Sequence, residues 1–194
     1  MNSERDLGTT SCVILGLVAR RPMAGYDLAA LAACSIDYFW PISKSQVYAE
    51  LTRLERDGYI EGTQIQQDRR PDKRHFELTA TGEAALDAWL GEPGYRIERS
   101  RIGLLAKFFF AERMTPGQRA ELLEAYRADA DAYRLELKAI VDRLEGRADA
   151  VYGRATARYG LLHAEANIAW ADSMLDELEV APAGAAATRL RPTA

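Results

Sequence analysis

The sequence predicts a mainly α-helical protein with one small β-hairpin, divided into an N-terminal part that holds the hairpin and a C-terminal part of long helices. Three observations predict this. A capped helix, two alternating segments and a further helix succeed one another from Ser43 to Leu90. A breaker cluster, Gly91-Glu92-Pro93-Gly94, then interrupts the chain. Beyond it, apolar residues recur at spacings of three and four through two long segments, the pattern of paired helices. The expected division is residues 1–92, residues 93–180 and a tail, 181–194, which lacks a periodic apolar face and is expected to be disordered.

The first helix is expected near Thr10 to Ala19. Its Cys12, Val13, Ile14, Leu15, Leu17 and Val18 are apolar almost all round, so it needs burial on several sides, which a partner surface would help to supply. The helix from Lys44 to Asp57 is signalled at both ends. Ser43 and Gln46 form an S-x-x-Q capping box, and Gly58 supplies a left-handed stop. At about 100° per residue, Val47, Leu51 and Leu54 fall on one side and face a core. Ser45, Ala49, Thr52, Arg53 and Arg56 lie opposite, with Lys44 and Tyr48 on the flanks and Gln46 in the first turn. Such a short, polar, cationic face suits a major groove: arginine can pair with guanine, Ala49 can touch a thymine methyl, and the others can reach phosphates. An ordinary solvated helix face has the same composition.

The segment after this helix favours the groove. Tyr59 to Gln66 and Arg74 to Leu78 alternate as strands around a polar tip. Between Asp68 and Arg74 the tip places Arg69, Arg70, Lys73 and Arg74 beside Pro71, four cations in seven residues. Each Lys or Arg that neutralises a phosphate also releases counterions, whereas a turn that only had to be soluble would be satisfied with Asp, Asn and Gly. Thr79 caps the next helix, whose apolar side carries Ala84, Ala85, Leu86, Ala88, Trp89 and Leu90.

Four stretches carry a family resemblance: "CVILGLVARRP" from Cys12 to Pro22, Gly25-Tyr26-Asp27-Leu28, "FWPISKSQVYAELTRLERDGYIE" from Phe39 to Glu61, and "RRPDKRHFELTATGEAALDAWL" from Arg69 to Leu90. Over about the first 90 residues the chain resembles the winged helix-turn-helix domain of PadR-family regulators. "LLAKFFFAERM" from Leu104 to Met114 and the long helices after it are similar to the subgroup with a long C-terminal domain. The resemblance implies that small aromatic or otherwise hydrophobic compounds relieve DNA binding from a pocket near the domain junction. Trp89, Phe108 and Phe109 are the candidates for it; aromatics at helical spacing equally describe plain core.

In the C-terminal part, Ile102, Leu105, Phe108 and Phe109 predict a short amphipathic helix, and Thr115-Pro116-Gly117-Gln118 a strong helix start. Leu123, Tyr126, Ala130, Tyr133, Leu137, Ile140 and Leu144 then form a heptad seam. After Gly146 to Gly153, Leu161, Ala164, Ile168, Ala171, Leu175 and Leu178 repeat it on a second helix, which can fold back as an antiparallel partner. Leu122, Val141, Leu162 and Trp170 lie off the seam and call for a further surface. A second copy is the economical one, because closed two-fold dimers dominate soluble oligomers and match palindromic operators. Leu123, Tyr126, Tyr133, Leu137, Ile140, Leu144, Leu161, Ile168 and Leu175 are the candidate dimerisation residues; an intramolecular bundle is the alternative.

Other classes fare worse. The longest apolar run, near Cys12 to Ala19, is too short to span a bilayer, and Met1 to Asp6 lacks a cationic signal-peptide start. Cys12 and Cys34 imply no disulfide framework; both sit among apolar neighbours, as packed thiols in a reducing, cytoplasmic setting would. His75 and His163 have no metal-spaced partners, and no phosphate loop or nucleophile elbow is present, so neither an enzyme nor a cofactor is expected. Residues 1–92 hold 10 Lys or Arg against 14 Asp or Glu, so DNA affinity must come from clustered cations and not from overall attraction. The combined expectation is a homodimeric regulator, a repressor, that binds double-stranded DNA at a palindromic operator. The rival is a helical interaction protein whose winged domain binds protein.

Overall fold

A computed structural model of the chain describes residues 7–66, 73–93 and 101–180. It forms two compact units, Met1–Arg96 and Ile97–Ala194.

The first unit contains α1 (Thr9–Val18), β1 (Met23–Ala24), α2 (Gly25–Ser35), α3 (Lys44–Arg56), β2 (Ile60–Ile65), β3 (Lys73–Leu78) and α4 (Ala80–Gly91). The strands make one antiparallel sheet in the order β1-β3-β2. Strand β2 pairs with β3 from Ile60 opposite Leu78 to Ile65 opposite Lys73, so the expected hairpin is present. Its edge strand β1, joined through Met23 opposite Phe76, had no sequence signature, because two residues cannot display an alternation.

One core holds this unit together. Ile14, Leu15, Leu28, Val47, Leu51, Leu54 and Ile60 are almost wholly inaccessible, and Trp89 packs against them from α4. Each such side chain contributes roughly 1.5–3 kcal/mol of transfer free energy. Helix α1 packs against α2, α3, α4 and β3, and Cys12, Ile14, Leu15, Leu17 and Val18 are all buried. This corrects the expectation that its all-round apolar surface calls for a partner chain: its own unit covers it. A second correction concerns the cysteines, since Cys12 is buried but Cys34 is exposed near the end of α2.

The turn after α3 is tied to the start of α4. Gly58 takes the left-handed conformation at φ 81°, which costs glycine nothing. Thr79 Oγ1 donates to the Gly58 carbonyl at 2.7 Å and accepts from the Gly82 amide at 3.1 Å. One side chain thus caps α4 and closes the hairpin against the end of α3.

The second unit contains α5 (Gly103–Phe108), a 3-10 turn at Ala111–Arg113, α6 (Pro116–Leu144), a second turn at Ala148–Ala150 and α7 (Val151–Val180). Helix α6 starts on the expected capping box, Thr115 with Gln118, and has Pro116 in its first turn. The pairing of α6 with α7 is antiparallel: a Cβ on Gly153 would meet Leu144, one on Gly160 would meet Leu137, and Arg127 reaches Asp172. The buried positions recur every seventh residue on both helices, Leu123, Ala130 and Leu137 on α6 and Ala157, Ala164 and Ala171 on α7. Small residues on α7 let the axes approach closely, so that the α6 leucines fill the gap.

This reassigns the candidate dimerisation residues. Leu123 and Leu137 are completely buried by the chain's own helix pair and present nothing to a second copy. Tyr126, Ile140, Leu144, Leu161, Ile168 and Leu175 are half-buried along the seam edges, and Tyr133 lies at its rim, 36% exposed. A second apolar stripe runs along the exposed side of α7, through Tyr152, Ala155, Tyr159, Leu162, Ala166 and Ala169, again at spacings of three and four. Of the off-seam residues, Leu162 belongs to this stripe, whereas Leu122, Val141 and Trp170 are half-buried. The short α5 does not bury its apolar side: Ile102, Leu105 and Phe109 are exposed. No described helix is long and apolar enough to cross a membrane.

Candidate nucleic-acid interface

Helix α3 is held rigidly at its start. The Gln46 amide donates to Ser43 Oγ at 3.2 Å and the Ser43 amide donates to Gln46 Oε1 at 2.9 Å, so the Gln46 carbonyl is committed to the cap and only its amide group remains for a base or phosphate. The core-facing stripe of Val47, Leu51 and Leu54 is buried as the spacing requires. Lys44, Ser45, Gln46, Tyr48, Ala49 and Thr52 are all exposed. Ser45 Oγ lies 3.0 Å from Ser43 Oγ, and Thr52 Oγ1 donates back to the Tyr48 carbonyl at 2.9 Å, which leaves the Thr52 methyl and oxygen lone pairs outward. Lys44 sits over the Tyr26 ring, 4.7 Å from its centroid. Tyr26 therefore belongs to the site, and only its contact with Lys44 reveals it.

The arginines differ from what helical geometry alone predicts. Arg53 turns toward α1, where its guanidinium donates to Glu50 Oε2 at 2.7 Å and to the buried Ser11 hydroxyl. It ties α3 to α1 and is not an open outer-face cation. Its Nε is buried without a hydrogen-bond partner. Arg56 is bidentate with Asp57, at 2.9 and 3.2 Å, and that hydrogen bond, then the Asp57 charge, raises its already high proton affinity. Arg74 crosses from β3 to Glu55 of α3 at 2.6 Å. The bridge passes over Gly62, where a Cβ would collide with the Arg74 and Glu55 side chains, so the glycine on β2 makes room for the link between wing and helix. The Glu50–Arg53 pair was readable from its i,i+3 spacing; the Ser11 and Glu55 partners, 42 and 19 residues away from their arginines, were not.

Lys73, opposite Ile65 at the loop end of the hairpin, is half-buried and has no ion pair among the described residues. Arg69 and Arg70 lie outside the described residues. Of the three candidate effector residues, Trp89 belongs to the core of the first unit. Phe108, in the second, stands edge-on to Trp170 with centroids 5.5 Å apart, and Trp170 in turn meets Tyr126. Phe109 is 69% exposed and stacks edge-on with Phe110. No group of three or more His, Cys, Asp or Glu among the described residues is placed to hold a metal ion.

Known proteins match both units. The model of the transcriptional regulator PadR-like family matches residues 14–88, and that of the virulence activator alpha C-terminal region matches residues 100–179. A probable transcriptional regulator of Mycobacterium tuberculosis is 34% identical over 80 residues, 41% of this chain and 42% of that protein. The negative transcriptional regulator PadR of Bacillus subtilis is 32% identical over 77 residues, 40% of this chain and 42% of that one. Each match thus spans less than half of the curated relative. Among solved structures, Bacillus subtilis PadR in complex with operator DNA superposes with a TM-score of 0.80 at 22% identity, covering 88% of this chain and 99% of its own; the same regulator has also been solved with p-coumaric acid. The Vibrio cholerae virulence activator AphA gives 0.64 at 28% identity, with 88% and 98% covered. The capped, core-anchored α3 and the antiparallel hairpin beside it fall within residues 14–88, the stretch that matches the transcriptional regulator PadR-like family, and identify this unit as a PadR-like domain.

Proposed function

We propose that the protein is a homodimeric, cytoplasmic repressor that binds a palindromic operator, with residues 1–92 as the DNA-binding domain and residues 93–180 as the dimerisation domain. The observation that carries this reading is the exposed surface of α3. Lys44, Ser45, Gln46, Tyr48, Ala49 and Thr52 stand outward on a helix whose opposite stripe is locked in the core. Ser45 and Ala49 are short enough for base edges, while Lys44, Lys73, Arg69 and Arg70 hold the phosphates. The operator complex of the Bacillus subtilis relative supports DNA as the partner, and that relative's description as a negative regulator supports repression.

Dimerisation proceeds through the second stripe of α7, Tyr152, Ala155, Tyr159, Leu162, Ala166 and Ala169, in place of the seam residues the chain uses itself. Tyr152 is 86% exposed and Leu162 56%, and contiguous exposed apolar surface of this kind marks an interaction site. Two copies related by a two-fold axis would present two α3 helices to half-sites about 34–36 Å apart. A small aromatic or hydrophobic effector releases the operator. Support for it comes from the p-coumaric acid complex of the Bacillus subtilis relative and from the aromatic group Phe108, Trp170 and Tyr126. The rival, a winged domain that binds protein, draws on one observation: Arg53, Arg56 and Arg74 are each already neutralised by a carboxylate.

The test is operator affinity as a function of salt. Arg70→Ala or Lys73→Ala is expected to weaken binding on all sequences and to flatten the plot of log affinity against log salt by about one ion each. An unchanged slope takes the wing off DNA, and an absence of salt-dependent DNA affinity in the unsubstituted chain favours the rival.

A further inference from the structure

Helix α6 repeats a four-residue step. Tyr126-Arg127-Ala128-Asp129 is echoed seven residues later by Tyr133-Arg134-Leu135-Glu136. Both tyrosines and both carboxylates line one cavity of about 290 Å³ in the groove between α6 and α7, with Ala130 and Ala132 on α6 and Asn167 on α7. The two arginines are engaged elsewhere, Arg127 with Asp172 on α7 and Arg134 with Asp131. No Lys, Arg or His lines the cavity, and neither Asp129 nor Glu136 is in an ion pair among the described residues. The cavity is therefore anionic and aromatic, with alanines between its two tyrosine–carboxylate pairs.

The spacing selects the ligand. Seven helical residues advance about 10.5 Å, so Asp129 and Glu136 stand too far apart to share one metal ion, whose oxygen ligands lie within about 2.6 Å. An anion would meet two carboxylates and no donor of positive charge. A single small cation would use one subsite and leave the other empty. We infer that this groove binds an extended organic dication of the polyamine class, with one ammonium between Tyr126 and Asp129, the other between Tyr133 and Glu136, and the alkyl chain over Ala130 and Ala132. An ammonium against a tyrosine face and a carboxylate gains both cation–π and ionic attraction. The first pair stands one helical turn apart on the cavity wall, and the Tyr126 phenol is held protonated to higher pH by burial and then by the Asp129 charge. The site does not depend on operator binding, so the DNA reading and the dication site stand or fall separately.

The experiment is calorimetric titration of the full, DNA-free chain with diaminooctane, whose ammonium groups lie roughly one heptad apart, alongside diaminobutane and octylamine. Diaminooctane is expected to bind about tenfold more tightly than either, the effect of engaging the second subsite. Asp129→Asn and Glu136→Gln each remove that advantage and leave octylamine affinity within a factor of about three. Both are exposed side chains, and circular dichroism checks that the helices persist. Equal affinities for the three compounds, no binding of diaminooctane, or an advantage that survives both substitutions overturns the inference.

Discussion

The two units bury themselves by different means. The first closes four helices and a sheet over large aliphatic side chains, with Ile14, Leu15, Leu28, Leu51 and Leu54 sealed from several directions. The second closes two helices along a single seam of leucine on one side and alanine on the other, and leaves Tyr152, Tyr159, Leu162, Ile102, Phe109 and Phe110 outside. A fold made of layers has interior for most of its large aliphatic residues, whereas a pair of helices has much less. One apolar periodicity thus has two destinations on α7, where the inner stripe is used within the chain and the outer stripe is open.

The largest effect should come from charging the inner stripe. Leu137→Glu puts a carboxylate against Gly160, where Leu137 now has no exposure, and is expected to cost about 3–5 kcal/mol and unfold the helix pair. Leu162→Glu, on the outer stripe, should leave the helix content nearly unchanged by circular dichroism, while light scattering shows a monomer in place of the proposed dimer. If both variants behave alike in helix content and in mass, the two stripes are not distinct. In the first unit, Leu54→Ala is expected to cost about 2–5 kcal/mol through the cavity it leaves. Urea titration would check this, and a second transition that stays at the same midpoint would show that the α6–α7 pair unfolds independently.

A smaller effect separates stability from recognition within α3. Glu55→Ala removes the partner of Arg74 and should change stability by no more than about 1 kcal/mol. The liberated guanidinium should tighten DNA binding and steepen its salt dependence by about one ion. A weaker affinity would mean that the bridge positions the wing.

The smallest concerns alkaline pH. Burial, then the Asp129 charge, raises the Tyr126 phenol above its ordinary value. The unfolded chain loses that proton first, so the stability from keeping it is fully present below about pH 10 and is lost as pH rises further through the folded value. Melting temperatures above pH 10 should therefore fall less in Tyr126→Phe than in the unsubstituted chain.

These contrasts also explain which features were legible in the sequence. The capping boxes at Ser43 and Thr115, the stop at Gly58 and the buried stripe of α3 depend on residues within one turn of each other, and local pattern carried them. The strand β1, the burial of α1 and the partners of Arg53 and Arg74 depend on residues distant in sequence, and no periodicity encodes them. The seam of α6 and α7 was visible as a seam. Its use within the chain was not, because heptads report that a helix is covered and are silent about which helix covers it. Ala157 was missed for a related reason: a lone alanine scarcely registers as apolar, yet in this seam it is one of the three α7 residues that lie deepest.

The paired arginines of α3 and β3 bear on how such a protein would move through a chromosome. A surface with bare cations lingers on any stretch of duplex, and the number of irrelevant sites then sets how long the search takes. Here Asp57 and Glu55 accompany Arg56 and Arg74 as built-in counterions that a phosphate must displace before it gains anything. Random sequence offers a poor exchange, so residence there would be brief. A target whose contours engage Ser45 and Ala49 as well would repay the displacement, and the carboxylates would thereby sharpen discrimination without touching a base.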